Sequence, residues 1–149
     1  MNVHGTYRFD ASREIVFEAI RDPSTLMDVI PGCQDVHLVP PDNYEGHITL
    51  RLPGSAGSYR TEVRLVDVRE PEHATMLGRV EGSMGSIAGE AQFDLACDGA
   101  QTLLTYSGSA AIQGPLARLD SRFAESLAES LIGQGLKALD ERLSAEVVA

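Results

Sequence analysis

The stretch that decides the fold is Gly78-Arg79-Val80-Glu81-Gly82-Ser83-Met84-Gly85-Ser86-Ile87-Ala88-Gly89-Glu90-Ala91-Gln92-Phe93. Before the central Gly-Ser-Met-Gly, Arg79 and Glu81 alternate with Gly78 and Val80. After it, Glu90 and Gln92 alternate with Gly89, Ala91 and Phe93. Alternation with a period of two marks strands that bury one face. The short Gly/Ser connection joins the two as an antiparallel hairpin. Gly82 to Ser86 looks superficially like a phosphate cradle. It lacks the lysine and leads into a strand rather than a helix, so it reads as a turn.

Outward from this hairpin the same period governs segments near 33–40, 44–52, 58–69, 73–82, 86–97 and 101–112. Pro40-Pro41-Asp42-Asn43, Pro53-Gly54-Ser55-Ala56-Gly57, Glu70-Pro71-Glu72 and Asp98-Gly99 separate them at hairpin length, which predicts a meander. Val3 to Phe9 alternates likewise and gives a further strand. Two short helices follow it, one with an apolar stripe of Ile15, Val16, Ala19 and Ile20. The other opens at Asp22-Pro23, presents Leu26, Met27 and Ile30, and stops at Pro31-Gly32. From Gly114-Pro115 to about Val147 the pattern is helical, with Leu116, Leu119, Phe123, Leu127, Leu131, Leu136, Leu139 and Leu143 as one stripe. Gly133 and Gly135 interrupt it, marking a bend or a close contact with the sheet. The fold class is therefore α+β, a curved antiparallel sheet gripping the last helix. The chain reads as one domain over 1–149.

Composition sets outer bounds. The chain has 149 residues, with Asp+Glu 22 against Lys+Arg 12 and a net charge of −10. Nucleic acid needs a basic stripe that is absent, and adhesion to anionic lipid needs a basic cluster that is also absent. No stretch has the apolar run of a signal peptide or a spanning helix, so the expected compartment is the cytoplasm.

Sorting the strands by parity gives an apolar inner face and a charged outer one. The inner face carries Tyr7, Phe9, Tyr44, Tyr59, Val63, Met76, Phe93, Leu95, Leu104 and Tyr106, with Gly46, Gly78, Gly89 and Gly108 among them. Glycines on a buried face either bend a sheet or leave volume beside it. A cavity for a small apolar ligand and a core filled by the helix both fit this pattern.

The candidate reactive groups read mostly as structural. His4 and His47 lie on the outer parity, His37 near a strand middle and His73 in a turn, none at metal-ligand spacing, so a surface role is expected and no metal site. Cys33 and Cys97 read as small buried hydrophobes. No catalytic constellation is visible. Tyr7, Tyr44, Tyr59 and Tyr106 are the inner polar groups, able to hydrogen-bond a carbonyl ligand or to serve as rim residues of the core.

The sequence resembles the family of the carbon monoxide dehydrogenase G subunit, within the START-related superfamily of polyketide cyclases and birch-pollen allergens. The resemblance rests on Asp22-Pro23 through Ile30-Pro31-Gly32-Cys33, on Gly78 through Gly89, and on Thr102 to Tyr106 with Gly114-Pro115-Leu116-Ala117-Arg118-Leu119 and Ser121-Arg122. It spans nearly the whole chain. It implies a helix-grip fold, a seven-stranded sheet round the C-terminal helix enclosing an apolar cavity. It also implies an accessory protein of molybdenum-containing dehydrogenases that handles a hydrophobic molecule such as a quinone. Family members often carry a membrane-reaching C-terminal extension. This sequence stops at Ala149, and Asp120 stands where the family commonly has glycine. The expectation is a soluble carrier, or one docked at the inner membrane through a partner, rather than direct lipid adhesion.

Two readings follow. The first is a non-enzymatic binding protein for a quinone- or lipid-like molecule, without a cofactor. Its lining would be Tyr7, Phe9, Tyr59, Met76, Met84, Phe93, Tyr106, Phe123, Leu127 and Leu131. It requires more than about 150 Å³ of space. The second is a cyclase, dehydratase or hydrolase acting in the same cavity, which requires an ionisable side chain facing inward.

Overall fold

The computed structural model describes residues 1–52 and 55–148. Strand β1 (Asn2–Phe9) is followed by helices α1 (Arg13–Arg21) and α2 (Pro23–Val29). Strands β2 (Cys33–Val39), β3 (Asn43–Leu52), β4 (Ser55–Arg69), β5 (His73–Gly82), β6 (Gly85–Asp98) and β7 (Gln101–Gln113) come next, and helix α3 (Ser121–Val148) closes the chain. The seven strands form one antiparallel sheet in the order β1-β7-β6-β5-β4-β3-β2. The expected meander runs from β2 to β7. β1 adds beside β7 with Val3 opposite Gly108 and Phe9 opposite Thr102. Pro53 and Gly54 of the expected turn lie outside the described residues, and β4 has already begun at Ser55.

The inner parity holds along most of the sheet, because a slip of one residue would turn the whole apolar set to water; bulges between Cys33 and Asp35 in β2 and between Val66 and Arg69 in β4 shift it locally. Side-chain size, however, is graded along the strands. At one end stand Phe9 on β1, Phe93 and Leu95 on β6, and Leu104 on β7. With Val16 and Phe17 of α1 and Leu139 and Leu143 of α3 they form the packed core. Toward the other end, the inner positions are small and in register: Gly78 opposite Gly89, Gly89 opposite Ala110, and Ala91 opposite Gly108. The core therefore fills one half of the grip and leaves the other half open.

Several local expectations are corrected. Gly114-Pro115 does not open the long helix: residues Gly114–Arg118 form a 3-10 turn, and Gly114 has φ +79°, outside any right-handed helix. The α-helix starts at Ser121 because Asp120 caps it, Oδ1 accepting from Arg122 N at 2.9 Å and Phe123 N at 3.2 Å. The helix then runs unbroken through Gly133 and Gly135 to Val148, 28 residues and about 42 Å long. Gly135 faces α2 rather than the sheet, where a Cβ would stand 3.6 Å from the Val29 carbonyl oxygen, and a Cβ at Gly133 would meet nothing within 4 Å.

The helical stripes are also rotated. α1 buries Val16, Phe17 and Ala19 and exposes Ile15, while α2 buries Thr25 and Val29 and exposes Met27. On α3, Ala124 is buried while Phe123 is exposed. Its C-terminal half is pinned: the Asp140 carboxylate accepts from Tyr7 Oη at 3.0 Å and Asp10 N at 3.2 Å, and Arg142 pairs with Asp28 of α2.

Two reactive residues lie elsewhere than expected. His73 is no surface turn residue. It starts β5 buried at 6% exposure, opposite Asp94, with Nδ1 2.8 Å from Asp94 Oδ1 and Nε2 3.3 Å from Asp67. Cys97 is exposed because it lies beyond the packed end of β6, next to the Asp98-Gly99 turn.

Candidate functional site

The open half of the grip holds two cavities. The larger, about 340 Å³, lies over β4 to β7 and the start of β1, with Gly78, Gly89, Gly108 and Ala110 in its floor and Ile132 of α3 above. The smaller, about 150 Å³, lies between Ile20, Leu26 and Ile30 of the short helices and the inner faces of β2 to β5. Thr61, Val63 and Met76 belong to both walls, so the two volumes meet at β4 and β5. A third depression, about 480 Å³, opens beside Pro31 to Gln34, Arg51, Leu127 and Leu131, and shares Cys33 with the smaller cavity.

The glycines create this space in different ways. A Cβ at Gly89 would stand 2.5 Å from the Ser109 carbonyl oxygen, and one at Gly108 would stand 2.8 Å from Ala91 Cβ. Both allow neighbouring strands to curve closely. Gly78 differs: a Cβ there would meet nothing nearer than Val63 Cγ2 at 3.9 Å. At this position glycine leaves volume rather than permitting a contact.

A groove of about 360 Å³ on the opposite face of the sheet is bordered by Glu45, Glu62, Arg64 and Arg79, all exposed. Such a groove does not exclude water. The inner cavities also open to solvent, but their side-chain walls are almost wholly apolar. Of the ionisable residues bordering them, Glu45, His47, Arg79 and Glu90 are exposed, and Asp35 turns its carboxylate to His47 Nδ1 at 3.1 Å.

The ten residues expected to line a site separate into groups. Met76 lines both cavities. Leu127 and Leu131 border the outer depression, one and two helical turns after Phe123, which is 40% exposed. Phe9 and Phe93 belong to the packed core, with Tyr7 against Phe9 at 4.8 Å between ring centres. Tyr59 is buried with its ring packed onto Gly82, Tyr106 lies against Gly5, and Met84 sits in the hairpin turn, its carbonyl accepting from Leu116 N at 2.8 Å.

The tyrosine hydroxyls divide as well. Tyr7 donates to Asp140, and Tyr44 donates to the Arg21 carbonyl at 2.6 Å, so both are committed to the fold. Burial and the Asp140 carboxylate push the Tyr7 phenol up to about 12. Burial raises Tyr44, and burial together with Glu129 raises Tyr106. Burial, then Asp35, raises the Cys33 thiol. These groups stay protonated near neutrality and act as hydrogen-bonding groups rather than anionic nucleophiles.

Sequence reasoning favoured large aromatics as lining, left Gly78 open between curvature and volume, and missed Ile132 and Thr61. The available signal was the run of small residues at matching positions of neighbouring strands. Large side chains fill space, and small ones leave it.

Among the described residues, no cluster of three or more His, Cys, Asp or Glu could hold a metal ion, and no helix is long and apolar enough to cross a membrane. Residues 5–144 match the family of the carbon monoxide dehydrogenase G subunit (CoxG). The chain belongs to that family. A conserved protein from Geobacillus kaustophilus has a similar crystal structure, 27% identical with a TM-score of 0.92, covering 97% of this chain and 96% of that one. A START superfamily protein from Mycobacterium smegmatis is 16% identical with a TM-score of 0.73, over 97% of each chain. The steffimycin-pathway di-domain ARO/CYC StfQ is 8% identical with a TM-score of 0.72, covering 99% of this chain and 52% of that one. These last two share the fold. Among curated proteins there is no match. The stretch Ile30-Pro31-Gly32-Cys33 falls on the partition between the smaller cavity and the outer depression, where the Gly32 carbonyl accepts from Thr49 N at 2.8 Å.

Proposed function

We propose that this chain, acting as one domain over 1–149, is a non-enzymatic binding protein for an apolar, quinone- or lipid-like molecule held between the concave sheet and α3. The observation that carries the reading is the pair of apolar cavities meeting at Thr61, Val63 and Met76 in the half of the grip that the core leaves open. The larger exceeds the volume a small aromatic ligand requires. Burying roughly 300 Å² of ligand surface at about 25 cal/mol per Å² yields about 7 kcal/mol before the costs of association, which suits reversible binding and release.

CoxG membership supports a molybdenum-containing dehydrogenase as the partner served. The acidic outer surface and the net charge of −10 favour reaching that partner, or a membrane, through protein contacts in the cytoplasm. Within this reading Met76 touches ligand in either cavity, Leu127 and Leu131 border the outer depression beside it, and Tyr59 and Tyr106 pack onto the sheet away from the two volumes.

Titration with 2,3-dimethyl-1,4-naphthoquinone by calorimetry, with native mass spectrometry of the same samples, tests the proposal. A saturable 1:1 complex is expected. Absence of heat and of complex up to the solubility limit overturns it.

A further inference from the structure

The inner face hides several hydroxyls, and the buried threonines show how they are answered within the protein. Thr102 Oγ1 donates to the Ala11 carbonyl at 2.7 Å, and Thr25 Oγ1 donates to Asp22 at 2.8 Å. Thr61 is the exception among the described residues: its Oγ1 is shielded from water and has no hydrogen-bond partner. A buried hydroxyl without a partner loses its hydration and gains nothing in return, so native folds keep few of them.

Its position gives this hydroxyl a use. Thr61 sits in the middle of β4, opposite Gly46 on one side and Val80 on the other, on the wall common to both cavities. The other shared side chains, Val63 and Met76, are apolar. A 120° rotation about χ1 places the hydroxyl where the methyl group stands, with no movement of the backbone. Beside it, at Gly46, the place of a side chain is taken by the Asp35 carbonyl of β2.

We infer that Thr61 selects the ligand: its hydroxyl hydrogen-bonds a carbonyl or hydroxyl oxygen flanked by apolar groups on both sides, one lying in each cavity. The inference rests on the binding reading above and narrows it. A plain hydrocarbon leaves Thr61 unanswered, and a molecule polar at one end only places its oxygen away from the junction. A molecule with an oxygen between two apolar arms satisfies the hydroxyl and fills both volumes.

Benzophenone and diphenylmethane are a matched pair for the test, since they differ by one carbonyl oxygen between two phenyl rings. Both are titrated calorimetrically against the full chain, the Thr61→Val variant, which keeps the shape and removes the hydroxyl, and Thr61→Ser, which keeps the hydroxyl. The expected result is benzophenone binding weakened about three- to tenfold in Thr61→Val, the worth of one neutral hydrogen bond. Thr61→Ser retains the affinity for benzophenone, and diphenylmethane binds the wild type and Thr61→Val alike. The melting temperature of ligand-free Thr61→Val stays level or rises by a few degrees, because an unpaired hydroxyl is gone. Equal changes for both probes, or none, overturn the role of Thr61 while leaving the cavity reading intact. If neither benzophenone, diphenylmethane nor the naphthoquinone binds the wild type, the cavity reading falls and this inference with it.

Discussion

Replacing Gly78 with valine fills the site from its floor, and its consequences follow from local geometry. The new Cβ stands 3.9 Å from Val63 Cγ2 and 4.0 Å from the Glu62 carbonyl oxygen, both ordinary contacts. Position 78 pairs with Val63 on β4 and Gly89 on β6, so the branched side chain enters the larger cavity beside Val63. Three carbons occupy on the order of 90 Å³, taking about 30 Å³ for each. That is about a quarter of the 340 Å³ available. Valine in a strand gains up to about 1 kcal/mol over glycine, and burying its side chain adds up to about 2 kcal/mol. After partial cancellation by lost rotamer freedom we expect Gly78→Val to be about 1–2 kcal/mol more stable, melting several degrees higher. Its affinity for 2,3-dimethyl-1,4-naphthoquinone should fall at least tenfold. The controls are Gly89→Ala and Gly108→Ala, where a Cβ meets atoms at 2.5 Å and 2.8 Å and overpacking costs about 1–3 kcal/mol. Urea melts and calorimetry on the three variants check the pattern. If Gly78→Val is destabilised like the controls, the glycine serves curvature and the volume above it is not usable. If it is more stable and binds as tightly as the wild type, the ligand lies elsewhere.

Two further experiments address the frame around the site. The Tyr7 phenol, pushed up to about 12 by burial and by Asp140, is an acid whose proton the folded state holds more firmly than the unfolded chain, where tyrosine titrates near 10. Its stabilisation is complete below about pH 10 and is lost as pH rises toward 12. Urea midpoints at pH 9.5, 10.5 and 11.5 should therefore fall more steeply for the wild type than for Tyr7→Phe, and parallel slopes would refute the assignment. Iodoacetamide should alkylate exposed Cys97 before Cys33, whose thiol is partly buried and raised in pKa. Saturating naphthoquinone should slow Cys33 alone, as read by peptide mass mapping, and equal slowing at both cysteines would refute its place in the cavity wall.

The strand parity could be read from sequence because each strand has one dry face and one wet face, and that contrast survives without coordinates. His73 and Gly114 show where this reading stops. His73 follows Glu70-Pro71-Glu72, which reads as a turn, and its burial comes from Asp94 across the sheet, a partner known only from the register of β5 with β6. Gly114-Pro115 has the composition of a helix start, yet the φ of +79° at Gly114 forces a turn first. Asp120 is the residue that caps α3. Its cap signal was present in the sequence but was outweighed by the leucine period, which runs unbroken through the turn.

The site asks more of a sequence than the fold does. Burial pattern identifies residues that avoid water, but a ligand cavity and a packed core avoid water equally. Side-chain size along the strands separates them: the large Leu95 and Phe93 give way to Ala91 and Gly89 along β6, as Leu104 and Tyr106 give way to Gly108 and Ala110 along β7, before Ile87 and Ile112 close the far end. The register sets small beside small, so the losses of volume coincide instead of being filled by neighbours. α3 then spans the gap: Asp140 and Arg142 hold its C-terminal half to β1 and α2, and Leu139 and Leu143 enter the core. Its other half spans the cavity, with Ala124 buried, Glu125 accepting from Asn2 N of β1 at 3.1 Å and Ile132 in the cavity wall. A helix held on both sides of the gap can keep a cavity open without collapse, because the core at its C-terminal end already supplies the packing that holds the two layers apart. Filling the floor at Gly78 should therefore cost ligand binding and not the fold, whereas loosening the Asp140 anchor should cost both.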